Sequence, residues 1–190
     1  FVGQPVMERQ TPCGAIRWRT PPPREFVAAR DRSKRIGYLS PLGPDDLAGY
    51  RLFLSEDGTV GFSIDPNGDI QNVFNNGGPK RIGGAEAMRE AIRAGGRTLD
   101  CFDGYLVRLY TQWGFVQVGR MRFNRELAPP GWNFERDGEP DVVFMAWAGY
   151  PESEEESYAR VIGPRERWRE PQRSSRYFGP DEWDIAKAES

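Results

Sequence analysis

The stretch Lys80-Arg81-Ile82-Gly83-Gly84-Ala85 holds the residues whose types and order most readily do chemistry in this chain. Two glycines opening a helix leave successive backbone N–H groups uncovered, the helix dipole makes that end positive, and Lys80 and Arg81 add charge, which together describe an anion site. Asn75 and Asn76 precede it, and Asp100 and Asp103 follow at the end of the next apolar run, so amides and carboxylates fall at neighbouring strand ends. Histidine is absent from all 190 residues. That excludes Ser-His-Asp triads, Cys-His dyads and nearly all zinc hydrolases, and no metal site is expected. Cys101 sits inside a run that reads as a buried strand, with no histidine to lower its pKa, and is not taken as a nucleophile. Cys13 lies in a stretch that reads as linker, so a disulfide to Cys101 is not expected and a reducing interior fits.

These residues need elements to position them. Glu25 to Arg30 reads as a short helix ending before Gly37, and a helical turn starts near Pro44. Tyr50-Arg51-Leu52-Phe53-Leu54 and Val60-Gly61-Phe62-Ser63-Ile64 are predicted strands joined through Glu56-Asp57-Gly58, a strong hairpin signal. Asp65-Pro66-Asn67-Gly68 turns the chain into a third strand, 69–74, completing a meander. After a loop over 75–84, Ala85, Met88, Ala91 and Ile92 mark one helix face, and Gly95-Gly96 stops that helix. A strand at 98–102 follows at once, which makes a strand-helix-strand crossover expected to be parallel. Leu106, Leu109, Tyr110 and Trp113 then mark a second helix, followed by strands at 115–123 and 142–147 with a long Pro- and Gly-containing loop between them. The order is β-β-β-α-β-α-β-β: an α/β (α+β) fold with a mixed, mostly antiparallel sheet, flanking helices and one β-α-β crossover.

Two of these motifs resemble those of the GNAT superfamily of N-acetyltransferases. In that family a strand runs into an Arg/Gln-x-x-Gly-x-Gly/Ala turn at a helix start, and the turn holds the pyrophosphate of acyl-CoA; the stretch from Lys80 to Ala85 is similar, with Lys in the first position and a longer loop through Gly77-Gly78-Pro79. Leu109-Tyr110-Thr111-Gln112-Trp113-Gly114-Phe115 resembles the family's tyrosine four residues before a Gly-Phe pair. More narrowly, Gly37 to Pro41, Leu54 to Gly58, Asp69 to Asn75, Leu99 to Gly104, Ala128 to Trp132 and Pro140 to Met145 resemble a GNAT-like domain of phage and prophage proteins, often fused to virion or toxin-like polypeptides. The resemblance implies acetyl-CoA as acyl donor, with Phe74, Asn75, Lys80, Arg81, Ile82, Gly83, Gly84 and Ala85 as the cofactor-binding set. It implies Tyr110 as the acid that protonates the departing thiolate, against a reading from spacing alone in which Tyr110 is core packing. Asp103 is the base candidate by position, and a helix N-cap is its alternative. Trp132 and Phe134 either cover an acceptor pocket or pack on the sheet edge.

The resemblance spans about residues 24–148. Residues 1–23, with Pro5, Pro12 and Pro21-Pro22-Pro23, read as a Pro-rich linker or docking arm. Residues 149–190 combine Glu152-Ser153-Glu154-Glu155-Glu156 with Arg165-Glu166-Arg167-Trp168-Arg169-Glu170 and read as a charged, partner-dependent tail, helical near Asp181 to Ala188. Trp168, Tyr177, Phe178 and Trp183 make the tail a candidate protein-docking segment. A net charge of −2, with acids and bases interleaved, argues against nucleic acid as a partner. No apolar run approaches the ~20 residues of a membrane span, and the opening Phe1-Val2 reads as the start of an excised piece of something longer. The expected activity is acyl-CoA-dependent transfer to an amine on a small molecule or protein, in a cytoplasm, as a phage or toxin-type effector. The competing expectation is a GNAT-like module that only binds.

Overall fold

A computed structural model describes residues 16–33, 41–77 and 82–190. Its elements in chain order are β1 (Trp18–Arg19), α1 (Pro23–Asp31), a 3-10 turn (Pro44–Leu47), β2 (Arg51–Ser55), β3 (Val60–Ile64), β4 (Ile70–Asn75), α2 (Ile82–Arg93), β5 (Thr98–Phe102), α3 (Tyr105–Gln112), β6 (Phe115–Met121), a short α4 (Phe134–Asp137), β7 (Val142–Trp147), α5 (Glu154–Ile162), β8 (Tyr177–Phe178) and α6 (Trp183–Glu189). Two four-stranded sheets result, ordered β1-β2-β3-β4 and β5-β7-β6-β8. All pairings within them are antiparallel except β6 with β8. The mixed, mostly antiparallel α+β architecture with flanking helices is therefore the one the sequence pattern led to.

Turn chemistry explains the meander. Gly58 has φ +75 and its N–H reaches Ser55 O at 2.9 Å, while Asp57 accepts from Ser55 Oγ (2.7 Å), Thr59 Oγ1 (2.8 Å) and Thr59 N (3.1 Å). A carboxylate in that position ties both hairpin arms to one residue, and its pKa falls below the usual range because those donors favour the charged form. Gly68, at φ +86, closes the next turn onto Asp65 O at 3.0 Å. Helix α2 ends through Gly95, at φ +97, whose N–H bonds Ile92 O at 3.1 Å.

One large core lies between the sheets and helices α2, α3 and α5, with Phe62, Ile64, Met88, Trp113, Phe115, Val143 and Met145 almost wholly inaccessible. Each such side chain contributes roughly 1.5–3 kcal/mol by leaving water. A second cluster, Phe26, Ala29, Leu52, Leu54 and Phe74, holds α1 on the opposite face of the first sheet. A third, Met121, Phe144, Phe178 and Ala186, holds α6 on the second sheet's other face.

Three readings differ from this structure. Helix α3 sets Leu109, Tyr110 and Trp113 on the core as the expected stripe has them, but leaves Leu106 exposed and buries Val107 and Gln112 instead. Trp18–Arg19, within the stretch read as linker, form β1 against β2, and Ile16 and Trp18 pack on the core; residues 1–15 lie outside the described part. The segment read as a tail is folded onto the sheets: Tyr158, Val161, Trp168 and Phe178 are buried, β8 extends the second sheet, and α6 begins at Trp183. Single-residue patterning misses this because its apolar residues are few and far apart, and each finds its partner across long sequence separations.

Candidate functional site

The two sheets meet at one place among the described residues, an isolated parallel bridge between Asp69 and Thr98. Beyond it β4 and β5 run in the same direction but belong to different sheets, so the strands form a fork with its apex at that bridge. Asn75 and Phe102 are the tips of its arms. A fork between parallel strands leaves unpaired the facing ladder groups that a sheet interior would satisfy.

Strand β4 carries a bulge on its way to the tip. Its register against β3 shifts between Gly61 and Ser63, and Asn72 adopts φ +57. Asparagine tolerates that left-handed geometry better than most side chains. Here it is also held from both sides: Asn72 Nδ2 donates to Ser63 Oγ at 2.9 Å and Arg30 Nε donates to Asn72 Oδ1 at 2.9 Å. Bulges of this kind re-aim backbone groups and concentrate near functional sites. The sequence pattern predicts a regular strand over 69–74, and Asn72 is the only local sign otherwise.

Among the expected cofactor-binding residues, Lys80 and Arg81 lie outside the described part. Ile82, Gly83, Gly84 and Ala85 form the first turn of α2, and Phe74 and Asn75 end β4. The two glycines are not equivalent. A Cβ at Gly83 would press on the Asn75 amide, an exposed side-chain end that would have to swing aside, whereas among the described residues nothing stands within 4 Å of the place a Cβ would occupy on Gly84. Ala85 is buried in the core and Phe74 packs against Phe26 at 5.7 Å, which makes both supporting residues. The open face of this helix start is therefore Gly84.

Tyr110 is 8% exposed and stacks edge-on to Phe115 at 6.2 Å, inside the main core. Burial pushes its phenol above the ordinary range, and the neighbouring Cys101 thiol raises it further, so it stays protonated. Cys101 is itself buried, with its thiol pushed up by burial, in keeping with its exclusion as a nucleophile. Asp103 is not a cap: Gly104, at φ +129, is the N-cap residue and α3 has no side-chain cap. Its carboxylate pairs instead with Arg120, which is buried at 1% exposure and also donates to Asp141 Oδ2 at 3.0 Å and Gln117 Oε1 at 2.9 Å. Tyr110 in the core and Asp103 in this arginine network thus occupy different surroundings.

Three groups at the apex were not singled out together from sequence. Asp69, 3% exposed, accepts from Thr98 Oγ1 at 2.7 Å and Gln71 Nε2 at 3.0 Å, and Lys187 Nζ lies 2.6 Å from Asp69 Oδ1 and 2.8 Å from Asp100 Oδ1. Asp100 had been noted at a strand end, but Lys187 is 87 residues away from it, a separation no local pattern reports. Burial raises the Asp100 pKa against the opposing pull of Lys187. Trp132 stacks on Phe102 at 4.7 Å and Phe123 at 5.2 Å, and Phe134 meets Phe123 at 5.8 Å, so these rings pack on the sheet end beside the fork tip. Next to them a surface cleft of about 800 Å³ is lined by Arg122, Phe123, Arg125, Glu139, Tyr177 and Pro180, among others. No cluster of three or more metal-binding side chains occurs, and no helix is long and apolar enough to cross a membrane, among the described residues. Comparison with known proteins returns no match to a family model, to a curated protein or to a solved structure.

Proposed function

We propose that this chain is an acyl-CoA-dependent N-acyltransferase of GNAT type, transferring an acetyl group from acetyl-CoA to a primary amine. The observation that carries the reading is the fork between β4 and β5, with a helix start at the tip of one arm and a bulge at Asn72 partway along it. A thioester laid in the fork supplies an activated acyl carbon. The first turn of α2, where no described side chain crowds Gly84, suits its diphosphate, and the Lys80-Arg81 pair precedes it in sequence. Tyr110, kept neutral by burial, is a proton donor for a thiolate reaching its side of β5. Asp103 is already engaged by Arg120, and Asp100 at the apex is the carboxylate that holds an ammonium. Delivery by a phage or toxin-like polypeptide, action on a macromolecule and work in a cytoplasm belong to the same proposal and rest on the sequence resemblance.

A second reading, a GNAT-like module that binds without catalysis, is favoured by two observations: Tyr110 is nearly enclosed, and the Asn75 amide occupies the Gly83 side of the helix start. Calorimetry with acetyl-CoA on the wild type and on Gly84→Glu separates these. Transferase function expects saturable binding lost in the variant, with free thiol released in the presence of an amine panel. Absence of saturable heat on a folded wild-type protein would overturn it, and binding without thiol release would leave the module.

A further inference from the structure

Lys187 is the only lysine among the described residues, and its ammonium sits where the two sheets part. Strand alternation puts Thr98 and Asp100 on one face of β5, away from Leu99 and Cys101, which face the main core. Lys187 reaches that face from α6, bonding Asp69 at the foot of β4 and Asp100 one pleat past the bridge, so a single ammonium ties both arms. The Phe144 ring, 5.8 Å from Nζ, forms a further wall. Two carboxylates and an aromatic face constitute the recognition chemistry of a primary alkylammonium.

The element carrying this ammonium is short and rests on few contacts. Helix α6 has seven residues, of which only Ala186 is buried; Trp183, 38% exposed, meets the Phe144 ring edge-on at 5.2 Å, Glu189 pairs with Arg176, and Ile185 is 48% exposed. We propose that α6 is a displaceable strap over the fork, and that the Asp69–Asp100 pair is an ammonium subsite which Lys187 fills from within the chain until a primary amine takes its place. The functional consequence rests on the acyltransferase reading: the amine acceptor is then an alkylamine, such as a lysine side chain, and α6 is an autoinhibitory contact. Lys187 is not itself the acceptor in this arrangement, because an ammonium held by two carboxylates keeps the proton that a nucleophilic amine must lose.

The test needs no acyl-CoA, so its failure is distinct from failure of the transferase reading. In Lys187→Ala two carboxylates are left without their cation, and n-propylammonium should bind saturably, raising the melting temperature by about 2–4 °C at concentrations well above its dissociation constant. Tetramethylammonium, which has no N–H, should not, and adding Asp100→Asn should abolish the effect. Lys187→Met retains the aliphatic stem and guards against misfolding: amide exchange over 183–189 should accelerate by about tenfold or more while α2 and β5 stay protected. Equal responses to the two ammonium ions would overturn the subsite, and unchanged exchange over 183–189 in Lys187→Met would overturn the strap. If the transferase assay succeeds, Lys187→Met should lower KM for the amine with kcat unchanged, and a raised KM would count against autoinhibition.

Discussion

Gly84 and Gly83 differ by one position and by the whole of their surroundings. Gly84→Ala adds a methyl group into open space on a helix, where alanine is favoured over glycine by about 0.5–1 kcal/mol, so thermal unfolding should show unchanged or slightly higher stability. If the amides there receive a diphosphate, the same methyl should weaken acetyl-CoA binding, which calorimetry reads separately. Gly83→Ala must displace the exposed Asn75 amide, so it should gain less stability than Gly84→Ala in the same thermal measurement. Lys187 offers a pH prediction. Burial disfavours its ammonium, but Asp100 and Asp69 outweigh that and hold its pKa above the ordinary lysine value. A raised cationic pKa gives stability that is fully present below the unfolded value of about 10.4 and is lost as pH climbs through the higher folded one. Melting temperature should therefore fall above that pH more steeply in the wild type than in Lys187→Met. Of these residues the glycine pair and Asp100 stand out in the sequence by their local neighbours, whereas Lys187 and Arg120, whose partners come from other strands and helices, do not.

Strands and helices were more legible than the residues between them. Hairpin turns at 56–58 and 65–68, the stop at Gly95 and the alternation in Val60 to Ile64 are short-range signals, and the structure places these elements within a residue or two of where such signals put them. The bulge in β4 was not legible, because one residue in a left-handed conformation leaves the apolar pattern almost intact. It makes a distinct prediction. Asn72→Val puts a β-branched residue at φ +57 and removes bonds to Ser63 and Arg30, and should cost on the order of 2–4 kcal/mol in chemical denaturation. Asn72→Gly, which keeps the backbone geometry, should recover part of that loss. In the β2–β3 hairpin, Asp57→Ala removes one acceptor shared by three donors and should cost about 1–2 kcal/mol at neutral pH, with the difference from wild type shrinking as pH falls through the depressed Asp57 pKa.

At the scale of the molecule, residues beyond Gly149 are part of the folding unit. Trp113, wholly buried, is flanked by Tyr150 at 6.2 Å and Tyr158 at 6.3 Å, Trp168 is buried with its Nε1 donating to Arg160 O at 2.8 Å, and Gln112 exchanges hydrogen bonds with the Arg169 backbone at 2.7 and 2.9 Å. Removing 150–190 strips cover from several large side chains at roughly 1.5–3 kcal/mol each, a total comparable with the 5–15 kcal/mol stability of an ordinary domain. A chain ended at Gly149 should thus lack a cooperative melting transition and near-ultraviolet dichroism. The outer borders of the two sheets share a further property. Each is finished by a strand of only two residues, Trp18–Arg19 beside β2 and Tyr177–Phe178 beside β6. So short a margin offers a foreign strand little to pair with, whereas the strands just inside it run to five and seven residues. Proteolytic clipping of either margin would uncover the pairing groups opposite it, Leu54 and Ser55 on β2 or Arg120 and Met121 on β6, and lengthen the edge open to a foreign strand.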